Sequence, residues 1–230
     1  MTVAVLAVVL AGYLVIRHRQ QDLLAALRPA GIPASVPTAL ADQMQLSTVP
    51  ARPAPGFTLV GQDGRTVSLA AFKGRPVVLT FMDPHCTDIC PIVSAEFLAA
   101  YRDLGPAAAA RAVFIAVNVN PYYRTPADVA AFSNEHQLTA IPAWHFLTGS
   151  LASLRAVWDS YQIAVQAAGR AADVVHTSLV YFIDPSGRER YVAVPMDEHT
   201  ASKKAYLPAG DLAAWGRGVA LVTRSLATSG

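Results

Sequence analysis

Charge is scarce in this 230-residue chain: Asp, Glu, Lys and Arg make up 15% of it, and 18 basic residues nearly balance 16 acidic ones. A formal net charge of +2 supplies no basic stripe for following a phosphate backbone, so nucleic acid is set aside as a partner. Cysteine is scarcer still. Cys86 and Cys90 are the only two, which excludes a disulfide-stapled scaffold and means that whatever they do, they do together. No internal repeat is present. What the chain has in quantity is apolar side chains, 53% of the total, too many for disorder throughout.

The longest apolar run is residues 3–16, which stops at Arg17-His18-Arg19. As a helix it rises about 21 Å, short of the roughly 30 Å hydrocarbon core. Residues 1–19 read as an uncleaved membrane anchor, with a cleaved export signal as the alternative and a buried helix as a third. Basic residues follow the run and none precede it, which by the positive-inside rule would hold the globular part in the cytoplasm. Residues 20–54 read as a Pro/Ala-rich tether, extended and with little to build a core from; Pro29, Pro33, Pro37, Pro50 and Pro53 fall there.

Residues 55–226 change pattern to short strands alternating with helices. Residues 58–60 and 66–68 flank an Asp63-Gly64 turn signal. Residues 76–82 and 112–119 are apolar, β-branched runs that read as buried strands. Helices are expected over 90–104, with Asp88 as N-cap, over 126–136, and from Ser150 to about Tyr161. A short strand at 144–147, a hairpin over 178–183 and 188–194, and an amphipathic helix over 209–226 complete the expectation. Alternation ending in a hairpin predicts an α/β sandwich with a mixed central β-sheet flanked by helices.

Cys86-Thr87-Asp88-Ile89-Cys90-Pro91 lies where a buried strand gives way to a helix, the end at which α/β sheets place ligands. Cys90 at a helix start should be stabilised as thiolate, and Pro91 gives up an N–H that would be unpaired there. Both sulfurs are expected to be close together, partly exposed and easily deprotonated, and thiolates are the soft ligands that select Cu(I), or Zn(II) with more partners. The bland alternative is two small buried hydrophobes.

Two thiolates leave a metal under-coordinated, so a histidine is sought. His18 belongs to the basic flank, His136 to a helix end, His145 to an aromatic strand and His199 to a loop after Met196. His85 adjoins Cys86, but its direction is open, as is the approach of Met82 and Asp83 to a metal. His176 stands at the entry to the apolar strand Ser178–Ile183, a position more often structural than ligating.

Taken together, the His85-Cys86-x-x-x-Cys90-Pro91 core, His176-Thr177 leading into Tyr181-Phe182-Ile183-Asp184-Pro185-Ser186-Gly187, the entry Ala54–Leu59 and the stretch His145–Ser150 resemble the Sco/SenC family. These are thioredoxin-like, copper-binding proteins of cytochrome c oxidase assembly. The resemblance implies that Cys86, Cys90 and His176 bind copper as Cu(I), with Cu(II) also accepted. It implies subunit II of the oxidase as partner, and a domain held by an N-terminal helix on the non-cytoplasmic side, or exported in soluble form. Two positions depart from the family pattern: Thr87 replaces a frequent proline, and Asn120-Pro121-Tyr122-Tyr123-Arg124-Thr125 replaces an acidic Asp-Pro-x-x-Asp-Thr segment. Three functions follow: a copper chaperone, a thiol–disulfide oxidoreductase cycling the Cys86/Cys90 pair, and a copper or redox sensor. A thioredoxin-type reductase would space its cysteines by two residues and place a proline before the 178–183 strand, and neither holds here. A peroxidase reading is weaker still.

Overall fold

The computed structural model describes residues 30–172, 174–202 and 204–228. In chain order these form α1 (Thr38–Gln43), β1 (Ser47–Thr48), β2 (Thr58–Gly61), β3 (Thr66–Ser68), β4 (Val77–Met82), α2 (Ile89–Asp103), α3 (Pro106–Ala109), β5 (Val113–Asn118) and α4 (Pro126–Glu135). Then follow β6 (Trp144–Thr148), α5 (Leu151–Ser160), β7 (Val165–Ala167), β8 (Val174–His176), β9 (Val180–Ile183), β10 (Glu189–Ala193), β11 (Glu198–His199), β12 (Ala205–Tyr206) and α6 (Ala209–Ala227). Eight strands make one sheet in the order β1-β10-β9-β4-β5-β6-β2-β3. The β4–β5 and β5–β6 pairs are parallel, while β9 runs antiparallel beside β4. β7–β8 and β11–β12 are separate hairpins.

The sheet is central because its inner strands are apolar on both faces. Val78 and Met82 of β4 and Phe114 and Ala116 of β5 join one core, under α2, α4 and α6. Val77, Leu79, Phe81, Val113, Ile115 and Val117 join the other, with Leu154 and Trp158 of α5. Alternation at period two thus fills both layers. Helix starts follow the expected chemistry at two places. Ser150 Oγ accepts the Ser153 N–H at 3.1 Å, and Thr125 and Asp128 form a reciprocal capping box. The architecture is a mixed central sheet flanked by helices, as the residue pattern predicts, and is the thioredoxin-like form that the resemblance implies.

The stretch expected to be a tether folds onto the domain from residue 32. Ile32, Val36, Leu40, Met44 and Leu46 are buried in the first core, Leu40 on the short α1 helix and the others on the irregular chain at either side of it. β1 extends the sheet beside β10, and Arg52 Nε donates to the buried Glu189 Oε2 at 2.6 Å. The proposed anchor at residues 1–19 lies outside the described residues. Among the described residues no helix is long and apolar enough to cross a membrane.

α2 and α6 pack closely because Gly216 has no side chain. A Cβ there would sit 2.6 Å from Ala99 Cβ and 3.0 Å from the Ala100 nitrogen. Glu96, on the same helix, is fully buried, and neither carboxyl oxygen has a hydrogen-bond partner. Burial, reinforced by the charge of Asp197, pushes its pKa up to about 9, so it is held neutral at pH 7.

Two outcomes are expected from unfolding in denaturant. Gly216→Ala, although it improves helix propensity, should destabilise by about 1–3 kcal/mol because backbone rather than a flexible side chain must shift. Glu96 keeps in the native state a proton that the unfolded chain releases, so stability should be greatest below the ordinary carboxyl range and fall as the pH rises to about 9. Glu96→Gln should flatten that decline; a parallel pH profile in the variant would refute the assignment.

Candidate metal and thiol site

The site is assembled at the C-terminal end of β4, where the chain turns into α2. Asp88 occupies the N-cap of α2, but its side chain caps nothing. The cap is a sulfur: the Cys90 N–H donates to Cys86 Sγ at 3.4 Å. Helix N-termini leave N–H groups to be satisfied, and the four-residue step from Cys86 to Cys90 lets the first cysteine do it.

This arrangement reverses the expected chemistry of the pair. Cys90 is 2% exposed, and its hydrogen bond to Cys86, together with burial, raises its pKa well above the ordinary value. Cys86 is the more exposed thiol. The Cys90 side chain hydrogen-bonds to it, the Cys90 and Asp88 backbone adds to that, and its pKa falls to about 7 despite partial burial. The helix start therefore stabilises the thiolate of the cysteine before it, not of the one within it. The expectation that both sulfurs are partly exposed and readily ionised is corrected on this point. Both are free thiols.

Cys86 and His176 line one cavity of about 550 Å³, together with Asp83, Asp88, Ile89, Val175 and Lys204. His176 ends β8, and its Nδ1 lies 3.1 Å from the Thr177 carbonyl. Burial lowers its pKa, so the ring is neutral at pH 7. With Nδ1–H donated to the carbonyl, Nε2 keeps its lone pair for a metal, the usual way a ligating imidazole is oriented. Cys90 is buried in the adjoining core. Among the described residues, Cys86, Cys90 and His176 do not bring one ligand atom each within 4.8 Å of one another. The structure places the thiolate and the imidazole on one cavity without closing a three-ligand cage.

Three further residues support the site. Asp83 is buried; its Oδ1 accepts from the His85 N–H at 2.8 Å and from Asn120 Nδ2 at 2.9 Å. Its charge opposes ionisation of both cysteines and favours a cation beside them. Asn120 stands where the resemblance implies an acidic residue, and its amide donates to Asp83, which an ionised carboxylate in that place could not do. Asn120 Oδ1 also accepts from the Tyr122 and Tyr123 N–H groups, which sets Tyr123 parallel to His85 at 3.6 Å between centroids. Arg170, in the 168–173 connection between β7 and β8, lies 5.1 Å from the same ring. One cation–aromatic stack thus links the His176 hairpin to the residue beside Cys86. Met82 is core. His85 is turned towards Tyr123 and a second cavity of about 570 Å³, which Cys86 also lines with Asp128 and His136. The departure at residues 120–125 was legible in the sequence; the contacts it makes were not.

The family model for SCO1/SenC matches residues 47–205. A mitochondrial SCO2 homologue of Bos taurus is 29% identical over 136 residues, 57% of this chain and 50% of its own length. A chloroplastic peroxiredoxin Q of Oryza sativa is 46% identical over only 56 residues, 24% of this chain and 26% of its own. The chain thus spans between a quarter and a half of the length of these curated relatives. The structure of Bradyrhizobium japonicum ScoI with copper bound aligns with a TM-score of 0.57 at 22% identity, over 76% of this chain and 99% of that one, a likeness of fold.

The thiol asymmetry predicts the outcome of alkylation. With iodoacetamide under reducing conditions, Cys86 should react with a midpoint near pH 7 while Cys90 stays unmodified, as mapped by peptide mass spectrometry. Cys90→Ala should move the Cys86 midpoint upward, because it removes the hydrogen bond that holds the thiolate. Preferential labelling of Cys90 would contradict the assignment.

Proposed function

The chain belongs to the SCO1/SenC family, and on that premise we propose that it is a copper carrier that holds Cu(I) on Cys86, Cys90 and His176 and passes it to the copper site of cytochrome c oxidase. Copper is cargo in this reading. The observation that carries it is the shared cavity, with a thiol poised to ionise on one wall and a neutral imidazole, its Nε2 free, on another. Two soft sulfurs and one nitrogen suit Cu(I) over harder ions. The copper-bound ScoI structure supports the choice of metal. Asp83 offsets the positive charge of the incoming ion without needing to touch it.

Loading deprotonates Cys90, which the ion achieves by replacing the proton, and draws the β7–β8 hairpin towards the thiols so that His176 completes the set. A low coordination number leaves room for the acceptor's ligands to displace these one at a time. Cys86 also faces the second cavity, a route by which an acceptor ligand can reach the cargo while His176 closes the first. Tethering through residues 1–19, with the domain on the non-cytoplasmic side opposite membrane-bound oxidase subunit II, is part of the proposal.

A second reading is favoured by the thiol asymmetry. A Cys86 thiolate could attack a partner disulfide, and Cys90 could then resolve the mixed disulfide, leaving the Cys86–Cys90 bond and a reduced partner. His176 has no part in that chemistry, so it separates the two readings. Anaerobic Cu(I) titration against a chromophoric chelator should give one ion per chain, with two sulfur neighbours and one nitrogen neighbour by X-ray absorption. His176→Ala should weaken binding by about a hundredfold, given that even outer-sphere partners are worth 10–100-fold, while dithiol turnover is kept. Unchanged stoichiometry and affinity in the variant would overturn the three-ligand site.

A further inference from the structure

Beside the thiolate cavity, whose wall includes Asp88, a second set of ligating groups converges. His199 Nε2 lies 3.4 Å from Asp88 Oδ1, and His199 Nδ1 lies 3.4 Å from Asp197 Oδ2. One ligand atom from each residue falls within 4.8 Å of the other two. The three come from separate places: the N-cap of α2, the 194–197 segment after β10, and β11. Nothing in the copper reading uses Asp197 or His199.

Beside this cluster stands a group that the fold leaves unexplained. Glu96 is completely buried, both of its oxygens lack a partner, and the charge acting on its carboxyl is that of Asp197. Asp88 is exposed and Asp197 half-buried; their two carboxylates make a region of negative potential, and the neutral Glu96 carboxyl, without a partner of its own, feels the charge of Asp197. The one cation that lines the adjoining cavity among the described residues is Lys204.

We propose that Asp88, Asp197 and His199 form a site for a divalent first-row transition-metal ion, distinct from the thiolate site. One imidazole and two carboxylates are an N/O donor set that suits Cu(II) or Zn(II) and lacks the sulfur that favours soft Cu(I); water completes the coordination. Because His199 pairs with Ala205 across β11–β12 and Ala205 lines the thiolate cavity with Asp88, an ion here pins that hairpin to the start of α2. It would sit beside the cavity that Cys86 and His176 share, whose wall includes Asp88 and Ala205. Cu(II) is the strongest probe, since it heads the divalent affinity order.

The test uses the full chain with Cys86→Ser and Cys90→Ser, titrated with Cu(II) and followed by calorimetry and electron paramagnetic resonance. One Cu(II) per chain should bind with nitrogen and oxygen ligands and no sulfur charge-transfer band. Adding His199→Ala, or separately the isosteric Asp197→Asn, should weaken binding by about tenfold or more. Absence of Cu(II) binding to the serine variant, or affinity unchanged in both added variants, would overturn the proposal. With the cysteines intact, His199→Ala should keep the Cu(I) affinity of the parent, and a joint loss would overturn the claim of a separate site. Failure of Cu(I) binding by the unaltered chain would instead count against the copper-carrier reading alone, leaving the Cu(II) result to stand by itself.

Discussion

One backbone hydrogen bond organises the chemistry of this protein: the Cys90 N–H to the sulfur of Cys86 at 3.4 Å. It gives α2 its cap, it brings the two sulfurs to the same turn, and with the Cys90 thiol it makes the outer cysteine the acidic one. The contact exists only because β4 ends at Met82 in the middle of a sheet and α2 begins six residues after Asp83. A buried strand fixes where the turn starts, and a packed helix fixes where it ends. The acidic Cys86 and the buried Cys90 are two results of the same local geometry.

The wider fold holds that turn between two cores. β4 and β5 contribute alternate side chains to each, so neither strand can slip by one residue without exchanging every contact on both faces. α6 locks α2 from outside through the close approach at Gly216. The His176 hairpin belongs to neither core in the same way. β7 and β8 form their own two-stranded ribbon, connected to the Cys86 turn by cavity walls and by the Arg170–Tyr123–His85 stack. The thiol turn springs from the central sheet while the imidazole facing it across the cavity is carried by a separate two-stranded ribbon.

The sequence was a good guide where local rules dominate. Apolar runs marked the buried strands to within a residue or two, Ser150 marked a helix start, and the spacing of Cys86 and Cys90 marked the site. It was a poor guide where several rules competed. The prolines around residues 29–55 signalled an extended tether, while the apolar Ile32, Val36, Leu40 and Met44 among them carried the opposite signal and prevailed, because burying those side chains in the first core, Leu40 and Met44 against Gly218 of α6, outweighs the extended preference of the chain between them. Asp88 looked like a cap by residue type, yet a sulfur took the N–H and left Asp88 facing His199.

Residue order alone therefore determined the class of fold, the position of the thiol pair and the family to which the chain belongs, because hydrophobic period and motif spacing are properties of neighbours along the chain. Which thiol ionises, that His176 shares one cavity with Cys86 and His85 another, and that Asn120 supports Asp83 were decided by tertiary structure. Ionisation depends on burial as well as on local donors, and the core that buries Cys90 is built from elements far apart along the chain.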